Sequence, residues 1–107
     1  MVEIRTNNFT AKDIFNAATA KPLKSAIGQT LNIVDIWVTE RPDLDGVVNT
    51  VANLKADDGS IYGTISDSVI RSAMALPEMI EESGSVAIKV EERPGTKGRN
   101  YLVITLA

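Results

Sequence analysis

The chain has 107 residues, 14 acidic and 11 basic, with a net charge of −3, and it is long enough for one domain with a single core. It contains no Cys and no His, which excludes disulfides, thiolate nucleophiles, the commonest metal ligand and the commonest acid–base catalyst. We therefore expect a non-enzymatic protein without metal or cofactor. Since no apolar run approaches the ~20 residues of a membrane span and no apolar signal segment follows the N-terminus, we also expect it in the cytoplasm.

The negative charge is concentrated in one segment. Residues 57–82 contain six acidic residues and one Arg, a balance of −5, so the rest of the chain carries +2. Salt confines the field of each patch to a Debye length of ~8–10 Å. A basic patch can therefore act on a protein whose overall charge is acidic.

The first predicted element is a helix from Ala11 to about Ala20. Thr10 is placed as the N-cap and Asp13 as the acid of a capping box, while Phe9 and Ile14 are placed as a hydrophobic staple. The helix is expected to end before Lys21-Pro22, because a residue that precedes Pro disfavours the helical conformation. Residues 1–27 are taken as an arm and helix, and residues 28–107 as a barrel, within a single domain.

Three strands are predicted next, over Leu31–Val38, Val47–Lys55 and Ser60–Ile65. A turn over residues 40–46 joins the first two, and Asp57-Asp58-Gly59 is a hairpin signal between the second and third. The first strand alternates imperfectly, with Val34, Ile36 and Val38 predicted on one inner face and a β-bulge as the alternative. In the third strand, the residues expected inside are Ile61, Gly63 and Ile65, and those expected outside are Tyr62 and Thr64.

After the third strand, apolar residues recur at the spacing of a helix. Two more strands are predicted after this helical part. Ser66 to Ser68 offer a cap, and the apolar stripe is Val69, Ile70, Ala73 and Met74. Pro77 is predicted to start a second helical segment that Gly84 ends. The final strands are expected to bury Val86, Ile88 and Val90, and then Leu102, Ile104 and Leu106.

This order of elements predicts a mainly β fold. Three meandering strands, a helix and a final hairpin are the order of the five-stranded OB-fold barrel, here with an extra N-terminal helix. A helix after the third strand closes one end of such a barrel, which suits the apolar stripe. The alternative is a sandwich-like α+β domain.

Three stretches carry a resemblance to a known family. They are Leu31–Ile36, Asp58–Ser66 and Lys97–Leu102, and together with the intervening chain they resemble the small OB-fold single-stranded DNA-binding proteins of bacteriophages and conjugative plasmids. The resemblance implies binding of single-stranded DNA in replication, recombination or transfer, in the host cytoplasm if the protein is phage-encoded. The chain ends without the acidic tail of the cellular single-stranded DNA-binding proteins, so we expect no recruitment of partners through a tail.

The candidate DNA-binding residues are cations and flat side chains. Single-strand capture needs cations along the backbone path and aromatic rings for the bases. The loop between the last two strands supplies Arg93, Lys97 and Arg99, and the expected stacking residues are Tyr62, Tyr101 and Trp37. The remaining candidates are Asn49, Asn53, Lys55, Thr64 and Lys89, while Lys21 and Lys24 are weaker ones. The hypothesis requires Tyr62 and Tyr101 to face one groove beside the loop between the last two strands. The alternative is that each Tyr covers a seam of the barrel or a subunit contact and that Trp37 completes the core.

Other functions are less well supported by the residues. Asp57-Asp58 belongs to a turn, Ser66 and Ser68 have no base to activate them, and the Gly-containing loop over residues 95–98 lacks the P-loop spacing. The main alternative is an OB-type protein-interaction or assembly module that binds no nucleic acid. RNA is an alternative ligand, since stacking does not distinguish the sugar. We expect no membrane association, and a homo-oligomer, because self-association extends the reach of a short barrel.

Overall fold

The structure, a computed structural model, describes residues 3–42 and 44–107. In these ranges the strands are β1 (Ile4–Arg5), β2 (Lys21–Pro22), β3 (Thr30–Pro42), β4 (Val48–Ala56), β5 (Ile61–Thr64), β6 (Val86–Pro94) and β7 (Asn100–Leu106). The helices are α1 (Ala11–Ala17), α2 (Asp67–Ala73) and α3 (Leu76–Ser83), and short 3-10 turns cover Leu23–Ala26 and Thr96–Gly98. Asp43, in the predicted turn over residues 40–46, and Met1 and Val2, in the predicted arm, lie outside the described residues.

All seven strands belong to one curled, open sheet. Its order is β2-β5-β4-β3-β6-β7, and β1 pairs with β3. The long strand β3 pairs with β6 through Thr30–Ile33 and with β4 from Ile33 to Pro42. Within the described ranges no hydrogen-bonded ladder joins β5 to β7, so the sheet forms a half-barrel. The mainly β, barrel-like fold with an N-terminal helix is confirmed, whereas the two-residue strands β1 and β2 were not predicted.

A β-bulge changes the inward face of β3. The register with β4 shifts between Ile33 and Asp35. Before the shift Ile33 lies in the core, and after it Ile36 and Val38 do, because one extra residue reverses the alternation. The prediction that Val34 shares the inner face is wrong, since Val34 is only half-buried, and the alternative of a bulge is confirmed.

The main core fills the concave side of the sheet and is covered by α2 and α3. Strand residues such as Leu54, Ile88 and Val90 meet Val69 and Ala73 of α2 there. The predicted stripe on α2 is thus confirmed, apart from Met74, which is exposed. Gly84 ends α3 with a positive φ of 81°, a conformation that glycine adopts without steric cost.

A second apolar cluster lies on the outer face of β3, β4 and β5, under α1. It consists of Phe9, Ala17 and Ile61, with Ile14, Ala20 and Trp37 packed against it. The predicted capping box is present, since the Thr10 hydroxyl accepts from the Asp13 N–H and the Asp13 carboxylate accepts from the Thr10 N–H. The helix ends at Ala17 rather than Ala20, because the following chain extends to pair in parallel with β5.

The last strand departs from its prediction at one position. Val86, Ile88, Val90 and Ile104 are buried, and Leu102 is half-buried, as alternation predicted. Leu106 is 63% exposed, so its predicted burial is wrong. It pairs with Ile88 on the end strand of the sheet, past the last core residue of β7.

Candidate functional site

Tyr62 does not face solvent, so the prediction that it lies on the outside as a stacking residue is wrong. It is 8% exposed and packs in the main core, while its neighbour Ile61 packs under α1. Strand β5 is therefore buried on both faces, and Ile65, predicted inside, is exposed. Period-two alternation cannot assign the inner face of such a strand. The groove in which Tyr62 and Tyr101 both stack is not formed, so the arrangement that the sequence hypothesis requires is contradicted. A binding role would have to rest on the final hairpin and Tyr101, without Tyr62.

Trp37 also packs against other residues of the fold. Its ring lies on the outer face of β3 and packs against Phe9, with 5.8 Å between ring centroids. Trp37 thus packs against the second apolar cluster, and its predicted role in stacking stays a prediction. Its indole Nε1 is buried and has no hydrogen-bond partner among the described residues.

Lys55 belongs to an ion pair on the same outer face. Its Nζ lies 3.0 Å from Asp13 Oδ2, which joins α1 to β4. Burial raises the pKa of Asp13, but hydrogen bonds from Thr10 and Lys55 and the charge of Lys55 outweigh it, and the pKa lies below the ordinary value of 3.8. Lys55 therefore joins α1 to the sheet through this ion pair, and its role as a phosphate ligand stays a prediction.

The β6–β7 hairpin presents the predicted basic loop to solvent. Arg93, Lys97 and Arg99 are all exposed. The tip is shaped by Lys97, with a φ of +59°, and by the Gly95 N–H, which donates to the Arg99 carbonyl over 2.7 Å. At the base of the hairpin, Glu91 lies 3.8 Å from Arg93. This exposed pair is weak in water, so the guanidinium is still accessible to a phosphate.

Tyr101 lies on this hairpin and is exposed, as predicted. It is directly opposite Arg93 in the antiparallel ladder, and 43% of its surface is accessible. Side chains of directly opposed residues share one face of a hairpin. The structure thus brings one cation and one aromatic ring together at the start of β7.

A groove of about 400 Å³ lies between the segment after α1 and the outer side of β4 and β5. Apolar residues such as Ala20, Pro22 and Val51 line much of it, and Leu102 of β7 lies at its edge. Lys24 and Arg41 also line it. Leu102 directly follows Tyr101, and successive side chains of a strand point to opposite faces, so Tyr101 lies on the other face of β7 from Leu102.

Sequence reasoning undervalued two of the cations at the groove. Arg41 is not among the predicted binding residues, and Lys24 is only a weaker candidate. In the structure Arg41 is exposed at the end of β3, opposite Asn49 of β4, and lines the groove. No sequence signal could have placed Lys24 there, because its position depends on how the chain turns back after α1.

The other predicted residues are divided between the groove and the rest of the surface. Asn53 lines the groove but is itself 1% exposed. Thr64 also lines it, with its hydroxyl accepting from the Ser66 N–H over 3.1 Å. Lys89 is exposed but level with Thr30, at the opposite end of β3 from Arg41, so the structure does not bring it to the groove.

Residues 3–42 and 44–107 contain neither a metal-binding cluster nor a helix that could span a membrane. No cluster of three or more acidic side chains there has the geometry to hold a metal ion. No helix in that part of the chain combines the length and apolar character needed to cross a bilayer.

Comparisons with protein-family models, with curated proteins and with solved structures found no match to this chain. The function is therefore inferred from the geometry and from the residues themselves.

Proposed function

We propose that the protein is an OB-fold single-stranded DNA-binding protein that acts without catalysis. The strand pairing supports the fold assignment: β3 pairs with both β4 and β6, β5 pairs with β4, and β7 pairs with β6. With α2 and α3 between β5 and β6, this pairing supports assignment to a partly open OB barrel. In that fold, oligonucleotides lie on the face of the second and third barrel strands, here β4 and β5, between two loops.

The observation that carries the proposal is the exposed basic hairpin with Tyr101 just below its tip. The loop corresponds to the one between the last two barrel strands, which grasps oligonucleotides in OB folds. Arg93 and Tyr101 lie opposite each other in the ladder of this hairpin. A cation next to an exposed ring matches what a phosphate and its adjoining base require.

The proposed binding mode uses fewer rings than the sequence predicted. Tyr101 stacks on one base, and Lys97 and Arg99 contact phosphates at the hairpin tip. Lys24 and Arg41 continue the basic path along the groove. Since these contacts read the backbone and ring faces, binding is largely independent of sequence and weakens with salt. Following the resemblance, we place this activity in phage or plasmid DNA replication, recombination or transfer.

Fluorescence anisotropy tests this proposal. A labelled single strand and the matched duplex are titrated with protein at low and at moderate salt. We expect tighter binding of the single strand and a loss of affinity as salt rises. Equal binding of both, or binding of neither, would contradict the proposal. A labelled RNA of the same sequence shows whether the sugar matters.

One observation favours the alternative of a protein-interaction module. Apolar side chains are exposed around the β3–β4 connection, namely Leu44, Val47 and Val48. Clustered exposed apolar residues are typical of protein contacts. A complex with a protein partner that survives nuclease treatment, without retained oligonucleotide, would support that alternative. If self-association is the explanation, the mass in solution exceeds that of the 11.5 kDa chain.

A further inference from the structure

We infer that α1 is a displaceable cover on the DNA site, and that the Asp13 carboxylate holds Lys55 until a phosphate of the bound strand takes its place. This inference rests on the proposed function and adds regulation to the same site. It gives Lys55, which the sequence predicts as a phosphate ligand, that role in the bound state.

The first step is the direction in which the groove runs. Val51 and Asn53 of β4 line it, and Lys55 is the next residue on the same strand face, because side chains two residues apart point the same way. Lys55 therefore lies only about 7 Å beyond Asn53. There Asp13 of α1 contacts it, and Ala17, at the end of that helix, lines the groove. The outer face of β4 thus continues from the groove to the ion pair beneath α1.

The second step is the ion pair itself. Lys55 Nζ lies 3.0 Å from Asp13 Oδ2, and the Lys55 side chain keeps 23% of its surface accessible, so a second anion can approach it. A lysine ammonium binds a phosphate oxygen as well as a carboxylate oxygen. A phosphate that reaches Lys55 replaces one charge pair by another, and the released carboxylate returns to water. The exchange therefore leaves no buried charge unpaired, which would be the costly outcome.

The third step is how α1 is held. It has seven residues, fewer than the roughly 12–15 that an isolated helix needs, so it depends on the contacts beneath it. These are the ion pair and the second apolar cluster, which is separate from the main core. Elements with few buried contacts are the ones that open locally, and in α1 the buried residues are Asp13 and Ala17. The concave side of the sheet, under α2 and α3, can therefore stay folded while α1 moves.

Hydrogen exchange in the wild-type protein tests the displacement. A ligand that binds the folded state normally slows the exchange of nearby amides, so a cover that leaves its site gives the opposite sign. With saturating single strand, we expect the amides of residues 14–17 to exchange about tenfold faster and those of β4 to exchange more slowly. Slower or unchanged exchange in α1 while the strand is bound would overturn the inference.

Two variants test the exchange of anions on Lys55. Asp13→Asn removes the competing charge, so single-strand affinity should rise about threefold. Lys55→Met removes the ammonium, so adding it to Asp13→Asn should abolish that rise. The control Glu82→Gln removes an equal charge from an exposed position on α3 and should leave affinity unchanged. An equal rise in the control, or a rise that survives Lys55→Met, would contradict the role of the ion pair.

The outcomes also separate this inference from the proposed function. Urea unfolding shows whether Asp13→Asn is folded under the conditions of the titration; if it is not, hydrogen exchange in the wild type decides. A wild-type protein that binds the single strand with α1 still in place would overturn this inference alone. A wild-type protein that binds no single strand would overturn the proposed function as well.

Discussion

Arg93 of β6 and Tyr101 of β7 occupy directly opposed positions in the antiparallel ladder, just below the tip of the final hairpin. Tyr101 is 43% exposed, and Arg93 makes only a long ion pair with Glu91, at 3.8 Å. A cation and a ring therefore share one accessible face. The predictions below follow from this pair, from the loop above it and from the outer face of the sheet.

Removing the three hairpin cations should weaken DNA binding and its dependence on salt. In the variant Arg93→Ala, Lys97→Ala, Arg99→Ala, up to three phosphate contacts are lost, so the log–log salt slope should fall by up to about 2. Anisotropy at several salt concentrations measures this. The matched control is Arg5→Ala, Lys12→Ala, Arg71→Ala, which changes the net charge equally at other exposed positions. An equal loss in both variants would mean that only net charge matters.

The two tyrosines should behave in opposite ways. Tyr101→Ala should cost about 1–3 kcal/mol of binding free energy through lost stacking, with little change in stability, and Tyr101→Phe should bind like the wild type. Tyr62→Ala should instead reduce the free energy of unfolding by about 3–5 kcal/mol, as for other buried aromatic truncations. Chemical denaturation and anisotropy on the same samples separate the two effects. Unchanged binding by Tyr101→Ala would contradict the stacking role.

Gly95→Ala should disrupt the hairpin tip without unfolding the protein. A Cβ there would lie 2.5 Å from the Arg99 carbonyl oxygen and 3.3 Å from Tyr101 Cδ1, so the backbone must shift. The tip is exposed, so the melting temperature should change little while single-strand affinity falls. Gly84→Ala is the control, because it lies at the end of α3, away from both loops, and its Cβ would meet no atom within 4 Å in the described structure, although its φ of +81° favours glycine. Full affinity in Gly95→Ala would show that the tip geometry is irrelevant.

Stability should depend on pH through Asp13. Because its folded pKa lies below 3.8, the ionised carboxylate stabilises the fold above that value, and this stabilisation is lost as pH falls through the folded pKa. Asp13→Asn should therefore be less stable than the wild type near neutral pH, and the difference should shrink in acid. Urea unfolding of both proteins across the acidic range measures it. A constant difference at every pH would contradict the role of the charge.

Local signals in the sequence predicted much of the fold. The capping box of Thr10 and Asp13 is formed as expected, and Gly84 ends α3 as expected. These features depend on neighbours a few residues apart, which a sequence pattern contains. The order of elements predicted a mainly β, barrel-like fold, but not that the sheet stays open between β5 and β7. The strands β1 and β2 are too short to show alternation.

The site was harder to predict because it depends on what covers the outer face. Tyr62 alternates with apolar neighbours, but α1 buries that other side of β5, so alternation assigned the faces wrongly. Lys55 was predicted as a free cation, but in the structure it forms an ion pair with Asp13 of α1. Asn53 was predicted from its outward parity, yet its burial and unpaired Oδ1 result from contacts distant in the chain.

The most direct test of the central claim is an NMR titration of the labelled protein with a short single strand. The account predicts that amide resonances shift in the hairpin over residues 93–101 and around the groove, at residues 49–53 and 63–65. Resonances of α3, which covers the concave side of the sheet, should stay in place. Shifts confined to α3, or none at saturating oligonucleotide, would contradict the account.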